Sequence, residues 1–86
     1  MATPEIIFTD HAMVKFEALA ALGIQLDERM VADAVRNPMS VSHGYGSRMV
    51  AQVGLDDEKV LRVVYEQIDE EIIIVTFYPG RRSRYE

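Results

Sequence analysis

The residues best suited to chemistry are arginines in the second half of the chain. They are Arg48, Arg62, Arg81, Arg82 and Arg84. A planar guanidinium group can bind two phosphate oxygens at once and can stabilise negative charge that develops at phosphorus. The alternative is ordinary surface pairing with the fourteen acidic residues, and spacing alone favours this alternative. The pattern therefore indicates either a phosphate-binding surface or a solvated basic tail.

Histidines are the next candidates. His11 begins a predicted helix, and histidine exchanges protons near neutral pH, so His11 is a candidate general acid or base. The alternative is a half-exposed side chain in a first helical turn. His43 falls in a predicted glycine-flanked turn at residues 43–46. The two histidines are far apart, and no acidic residue stands at ligand spacing from them, so the sequence predicts no metal site.

Tyrosines supply the aromatic candidates. Tyr78 falls on the face of a predicted sheet that carries arginines, and Tyr65 falls on the opposite, apolar face, where packing is the expected role. Tyr85 follows Arg84 and could stack on a base or hold a phosphate. The alternative for Tyr85 is an aromatic residue in a solvated tail.

Composition limits the class of protein. The 86 residues suit one domain, 1–86, and 49% hydrophobic residues are enough for one modest core. The chain has no cysteine, no apolar run long enough to span a membrane and no signal-peptide pattern, so we expect a cytoplasmic protein. No nucleotide-binding loop is present, and no cofactor is predicted. The net charge of −5 means that nucleic acid could be gripped only through a local basic patch.

Periodicity predicts the elements that position these residues. A short strand at residues 6–9 precedes a helix that is capped by Thr9 or Asp10 and runs to about Leu22. A second helix begins at Asp27 and ends before Pro38. Strands are then predicted at residues 39–42, 48–55, 59–67 and 71–78. The fold class is α+β: an N-terminal strand and a helix hairpin packed on one face of a mostly antiparallel, four- to five-stranded sheet.

Strand register decides which side chains meet. Three-residue turns pair Gln52 with Arg62 and Arg62 with Thr76. This register gathers nine apolar positions on one face: Met49, Ala51, Val53, Leu61, Val63, Tyr65, Ile73, Val75 and Phe77. The other face is mixed and partly open, and it carries Arg48, Val50, Gln52, Arg62, Val64, Glu66, Ile72, Ile74, Thr76 and Tyr78. A two-residue second turn would mix polar and apolar groups on both faces, so we prefer three.

Three segments together resemble a small prokaryotic domain family of unknown function: FTDHAMVKF, AVRNP and VLRVVYEQIDEEIIIVTFYPGRRSRY. That family looks related to the RelE-like and BrnT-like toxins of bacterial toxin–antitoxin systems, which are metal-independent ribonucleases. The resemblance implies a RelE-like fold, an antitoxin partner and an RNA site on the open sheet face. Carried across by position, catalytic roles fall to His11, Arg48, Arg62, Thr76 and Tyr78, and RNA or phosphate binding to Arg81, Arg82 and Tyr85. The negative net charge of this chain differs from that of these toxins, which are usually basic.

Two functions therefore stand side by side. The first is a toxin-like endoribonuclease or RNA-binding module. The second is a non-catalytic protein-interaction or regulatory domain, which could form a homodimer through Val50, Val64, Ile72 and Ile74 of the open face.

Overall fold

The chain forms one five-stranded sheet with helices, as described for residues 4–85 by a computed structural model. The elements in order are β1 (Glu5–Phe8), α1 (Asp10–Ala20), α2 (Glu28–Arg36), β2 (Ser40–His43), β3 (Met49–Gly54), β4 (Lys59–Ile68), β5 (Glu71–Arg81) and α3 (Arg82–Tyr85). The strand order is β1-β5-β4-β3-β2. The β1–β5 pair is parallel and the other three pairs are antiparallel, which confirms the predicted α+β class and mostly antiparallel sheet.

Local signals in the sequence set the helix ends. Thr9 is the N-cap of α1 and Asp27 is the N-cap of α2, and each side chain accepts a hydrogen bond from the backbone N–H three residues later. Helix α1 ends at Ala20, two residues before the predicted end. Gly23 then adopts a φ of 84°, a left-handed conformation that favours glycine and stops the helix.

One face of the sheet is covered by helices. Helix α1 contacts β5 and β1, and helix α2 contacts β3 and β4. Phe77, Leu61, Ile74 and Val31 are the largest of the fully buried side chains, and each contributes roughly 1.5–3 kcal/mol through burial. The Phe16 ring lies 4.6 Å from that of Phe77, centroid to centroid. That the two helices also pair with each other as a hairpin stays a prediction.

The β4–β5 register differs from the predicted one. Gln52 pairs with Arg62 as expected, but Arg62 pairs with Tyr78, whereas Thr76 pairs with Val64. The turn between β4 and β5 has two residues, and the first of them, Asp69, has a φ of 55°.

A β-bulge in β5 lets the sheet keep one apolar face and one mixed face despite this two-residue turn. Tyr65 pairs with Ile74 and Val64 with Thr76, which leaves Val75 as an extra residue in β5. Ile72 and Ile74 consequently lie in the core, and Ile73 takes the opposite side. The expectation that Ile72 and Ile74 belong to the open face, and to a dimer surface there, was therefore wrong.

A predicted turn and a predicted strand end also differ. His43 lies in β2 opposite Met49, so the following turn begins after it. Strand β5 runs through Pro79 and Gly80 to Arg81, three residues beyond its predicted end at Tyr78. Among residues 4–85, no helix has the length and apolar composition that a membrane crossing requires.

Thr9 joins α1 to the sheet, and its replacement tests this junction. Its hydroxyl lies 3.0 Å from the carbonyl oxygen of Ile74 and 3.1 Å from that of Val75, and it also accepts the Ala12 N–H. We expect Thr9→Ala to lower the free energy of unfolding by about 1–2 kcal/mol in urea titrations. Thr9→Ser should retain most of the stability, because it keeps the hydroxyl. Equal losses in the two variants would contradict the role of the hydrogen bonds.

Candidate functional site

A polar row crosses the centre of the sheet on the face that α1 and α2 leave uncovered. Ser40, Gln52, Arg62 and Tyr78 come from β2, β3, β4 and β5, and each is paired with the next. Directly paired residues of antiparallel strands point to the same side of the sheet. The four strands therefore place one row of polar side chains on this face, with Arg62 near the middle of the row.

Arg62 is the centre of a cluster with Gln52, Tyr78 and Tyr85, which we call the Arg62 cluster. Its Nε donates a hydrogen bond to the Tyr78 hydroxyl at 3.1 Å, and its Nη1 donates to Oε1 of Gln52. The Tyr85 ring lies against the guanidinium, with 4.1 Å from Cζ to the ring centroid. Gln52 also donates from Nε2 to the backbone carbonyl of Tyr85 at 3.4 Å. These contacts fix both the arginine and the residues around it.

The partners of Arg62 are neutral, although the guanidinium is half-buried. Within residues 4–85, the ion pair that forms joins Arg48 to Glu66, with 3.5 Å between Nε and Oε1. Two of the five N–H bonds of the guanidinium are used inside the cluster, and the other three make no hydrogen bond with residues 4–85, so they can bind an anion or water. Among residues 4–85 no carboxylate forms an ion pair with Arg62, and a guanidinium that is fixed in this way is suited to binding an anion.

The C-terminal tail covers one end of this face. Gly54, Val60 and Gly80 form the row next to the polar row, and Val60 is 1% exposed. A Cβ atom on Gly80 would stand 2.5 Å from Cε2 of Tyr85, so the absence of a side chain at position 80 lets the ring reach the sheet. The tail therefore folds onto the open face through α3, while β5 continues through Pro79 and Gly80 without a turn.

Arg82 binds the C-terminal tail to a neighbouring turn and is not part of the Arg62 cluster. Its Nε and Nη2 lie 3.2 and 2.7 Å from the backbone carbonyl oxygen of Asp56, and its own N–H donates to the carbonyl of Glu58. These bonds fasten α3 to the turn between β3 and β4. Arg81 and Arg84 remain exposed, and the Cζ of Arg84 lies 5.8 Å from the Tyr85 ring centroid.

The other candidates take different positions. Arg48 lies four residues before Gln52 on the open side, roughly 13 Å along the strand from the Arg62 cluster, and its partner there is Glu66. Thr76 is half-buried on the open side, in the row next to Arg62. His11 is exposed in the first turn of α1, and no described hydrogen bond, ion pair or ring contact joins it to the cluster.

Gln52 is the residue that sequence reasoning left out of the candidate site. It is 8% exposed, and it is the one buried polar side chain among residues 4–85. A signal was present, because Gln52 is the polar residue of an otherwise apolar strand and its pairing with Arg62 was predicted. Among the described residues, no three His, Asp or Glu side chains converge as metal ligands.

Comparison with known proteins gives no relative. No family model matches this chain, and no curated protein or solved structure matches it.

Gly80→Ala tests how the tail is seated. We expect the new Cβ to displace Tyr85, because β4 holds the backbone of Gly80 in place. Trypsin should then cut after Arg81, Arg82 and Arg84 faster than in the wild type, while the free energy of unfolding falls by about 1 kcal/mol. Gly44→Ala is the control, because its Cβ would make only ordinary contacts of 3.4 Å with Arg48 and Val50, away from the tail. Equal trypsin sensitivity in the two variants would contradict this account.

Asp56 makes the stability of the turn between β3 and β4 depend on pH. Its Oδ1 accepts hydrogen bonds from the N–H groups of Glu58 and Lys59, which hold the pKa of this exposed carboxyl below its usual value of 3.8. A lowered pKa in the folded state adds stability above the unfolded pKa, and this contribution is lost as the pH falls through the folded pKa.

Urea titrations of Asp56→Ala between about pH 7 and about pH 2 test this linkage. We expect the variant to unfold at lower urea concentrations than the wild type near neutral pH, and the difference to shrink below pH 3.8. Asp57→Ala removes the same charge from the next residue and should show a smaller difference. A gap for Asp56→Ala that stays constant over the whole range would refute the linkage.

Proposed function

We propose that the open face of the sheet binds RNA and that the chain is a toxin-like, RNA-directed module. The observation that carries this proposal is the half-buried Arg62 guanidinium, which is held by neutral partners. A carboxylate partner would have neutralised the charge, whereas Gln52 and Tyr78 orient it and leave it positive. A phosphate group of an RNA backbone is the ligand that such a guanidinium suits.

Aromatic rings around Arg62 favour RNA over a small anion. Tyr78 and Tyr85 both lie within about 6 Å of the Arg62 guanidinium. Stacking of bases on aromatic side chains, beside phosphate contacts from arginine, is the usual way in which proteins bind single-stranded RNA. The exposed Arg84 adds a second positive charge beside Tyr85.

Cleavage is the finer part of the proposal, and it rests on the resemblance to RelE-like toxins. Arg62 would stabilise the charge that develops at phosphorus, and a second group would take the proton of the ribose 2′-hydroxyl. Tyr78 would serve the other proton transfer, because its hydroxyl accepts a hydrogen bond from Arg62 and keeps its own proton to give to the 5′-oxygen, which leaves as its bond to phosphorus breaks. An antitoxin partner and a cytoplasmic location belong to the same proposal.

A protein-interaction role for this face has less support. Ile72 and Ile74 belong to the core, and the row containing Val60 is covered by the chain's own tail. The apolar surface that a homodimer would use is therefore small.

RNA binding by Arg62 variants tests the proposal. We expect a fluorescein-labelled single-stranded RNA to bind the wild type at low salt, and Arg62→Met to weaken binding roughly tenfold in fluorescence anisotropy. The slope of log affinity against log salt should also fall by about 0.7, which corresponds to one lost phosphate contact. Arg62→Lys keeps the charge without the fork and should lie between the two.

Arg36→Met is the matched control, because Arg36 is exposed in the last turn of α2, on the helix-covered side. Circular dichroism must show that each variant is folded. Incubating RNA in EDTA with each variant then shows whether metal-independent cleavage follows Arg62. If the wild type does not bind RNA, or if Arg36→Met weakens binding as much as Arg62→Met, the proposal fails and an interaction domain is the better account.

A further inference from the structure

A second surface lies on the helical side of the molecule, where α1 meets the start of α2. It is a groove lined by Met13, Val14, Phe16, Glu17, Leu26, Asp27 and Glu28. Met13 is 42% exposed and Val14 is 62% exposed, although both are large apolar residues. No other described part of the chain covers them. Apolar side chains that are gathered in a groove and rimmed by charged residues can form an interaction site.

The composition of this groove favours a helical partner. Its apolar members are three residues from about one turn of α1, together with Leu26, which lies just before the cap of α2. Methionine is flexible and polarizable, so a surface with Met13 can adapt to the side chains of an inserted helix. Grooves with these properties bind amphipathic helices through residues at helical spacing.

Charge selects the partner further. The charged residues that line the groove are Glu17, Asp27 and Glu28, and all are acidic. We propose that the groove binds a basic amphipathic helix of another protein, whose apolar stripe packs on Met13 and Val14 and whose lysines or arginines face the acidic rim. This inference does not depend on RNA binding, because it concerns the other side of the sheet.

The same charges argue against a second copy of this chain as the occupant. Two-fold pairing would bring the same patch of each copy together. Glu17 and Glu28 of one copy would then face the acidic rim of the other, and like charges in an interface are costly. The lysines or arginines of a basic helix would be attracted to the acidic rim, whereas the acidic residues of a second copy would be repelled by it.

Peptide binding tests the proposal. The probe is a fluorescein-labelled helical peptide of leucine and lysine with leucines at heptad spacing, and its partner probe has glutamate in place of lysine. We expect the wild type to bind the lysine peptide and not the glutamate peptide. Glu17→Lys with Glu28→Lys should weaken binding of the lysine peptide roughly tenfold and create binding of the glutamate peptide. Asp27 is left unchanged because it caps α2.

Two controls separate the groove from general charge and stickiness. Glu70→Lys with Glu71→Lys makes the same change in net charge at the exposed turn between β4 and β5, and it should leave binding of the lysine peptide within about twofold. Val14→Ser should weaken binding, whereas Leu22→Ser, at a residue that is exposed outside the groove, should not.

Three results would overturn the proposal. They are no binding of the lysine peptide, equal effects of the two double variants, and concentration-dependent self-association that Val14→Ser abolishes. The last result, measured by sedimentation, would assign the groove to a second copy of the chain.

Discussion

The pairing of β4 with β5 is the constraint on which the rest of the molecule depends. These are the two longest strands, and they lie at the centre of the sheet. A two-residue turn on its own would place polar and apolar side chains on the same face. The extra residue Val75 corrects the alternation halfway along β5, so that Ile72, Ile74 and Phe77 all reach the core. The same correction sets Tyr78 opposite Arg62, and the bulge thereby builds both the core and the Arg62 cluster.

The Arg62 cluster stabilises a charge without neutralising it. Partial burial of a guanidinium costs free energy, and two hydrogen bonds and an aromatic ring offset this cost. The acidic balance of the chain does not remove the local positive charge, because the nearest described ion pair, Arg48 with Glu66, lies further along the sheet. A protein with a net charge of −5 can therefore present a cationic site on one face.

The two sides of the sheet carry opposite chemistry. The open face has arginines and tyrosines around a central polar row, and the helical side has an apolar groove with an acidic rim. The core lies between them and keeps the two surfaces apart. A ligand on one side need not displace a ligand on the other, so the proposed RNA site and the proposed helix-binding groove could be occupied at the same time.

The sequence by itself determined the element types, the caps at Thr9 and Asp27, the helix stop at Gly23 and the pairing of Gln52 with Arg62. These features depend on residues that are close in the chain or on simple alternation. Only the tertiary structure decided the bulge at Val75, the seat of Tyr85 over Gly80 and the bonds from Arg82 to Asp56. The bulge leaves one residue unpaired and buries two isoleucines, and the tail is held partly by Gln52, Asp56 and Arg62, which all lie more than 20 residues earlier in the chain. The free energies of such contacts depend on segments that are distant in the sequence, so no local sequence pattern predicts them.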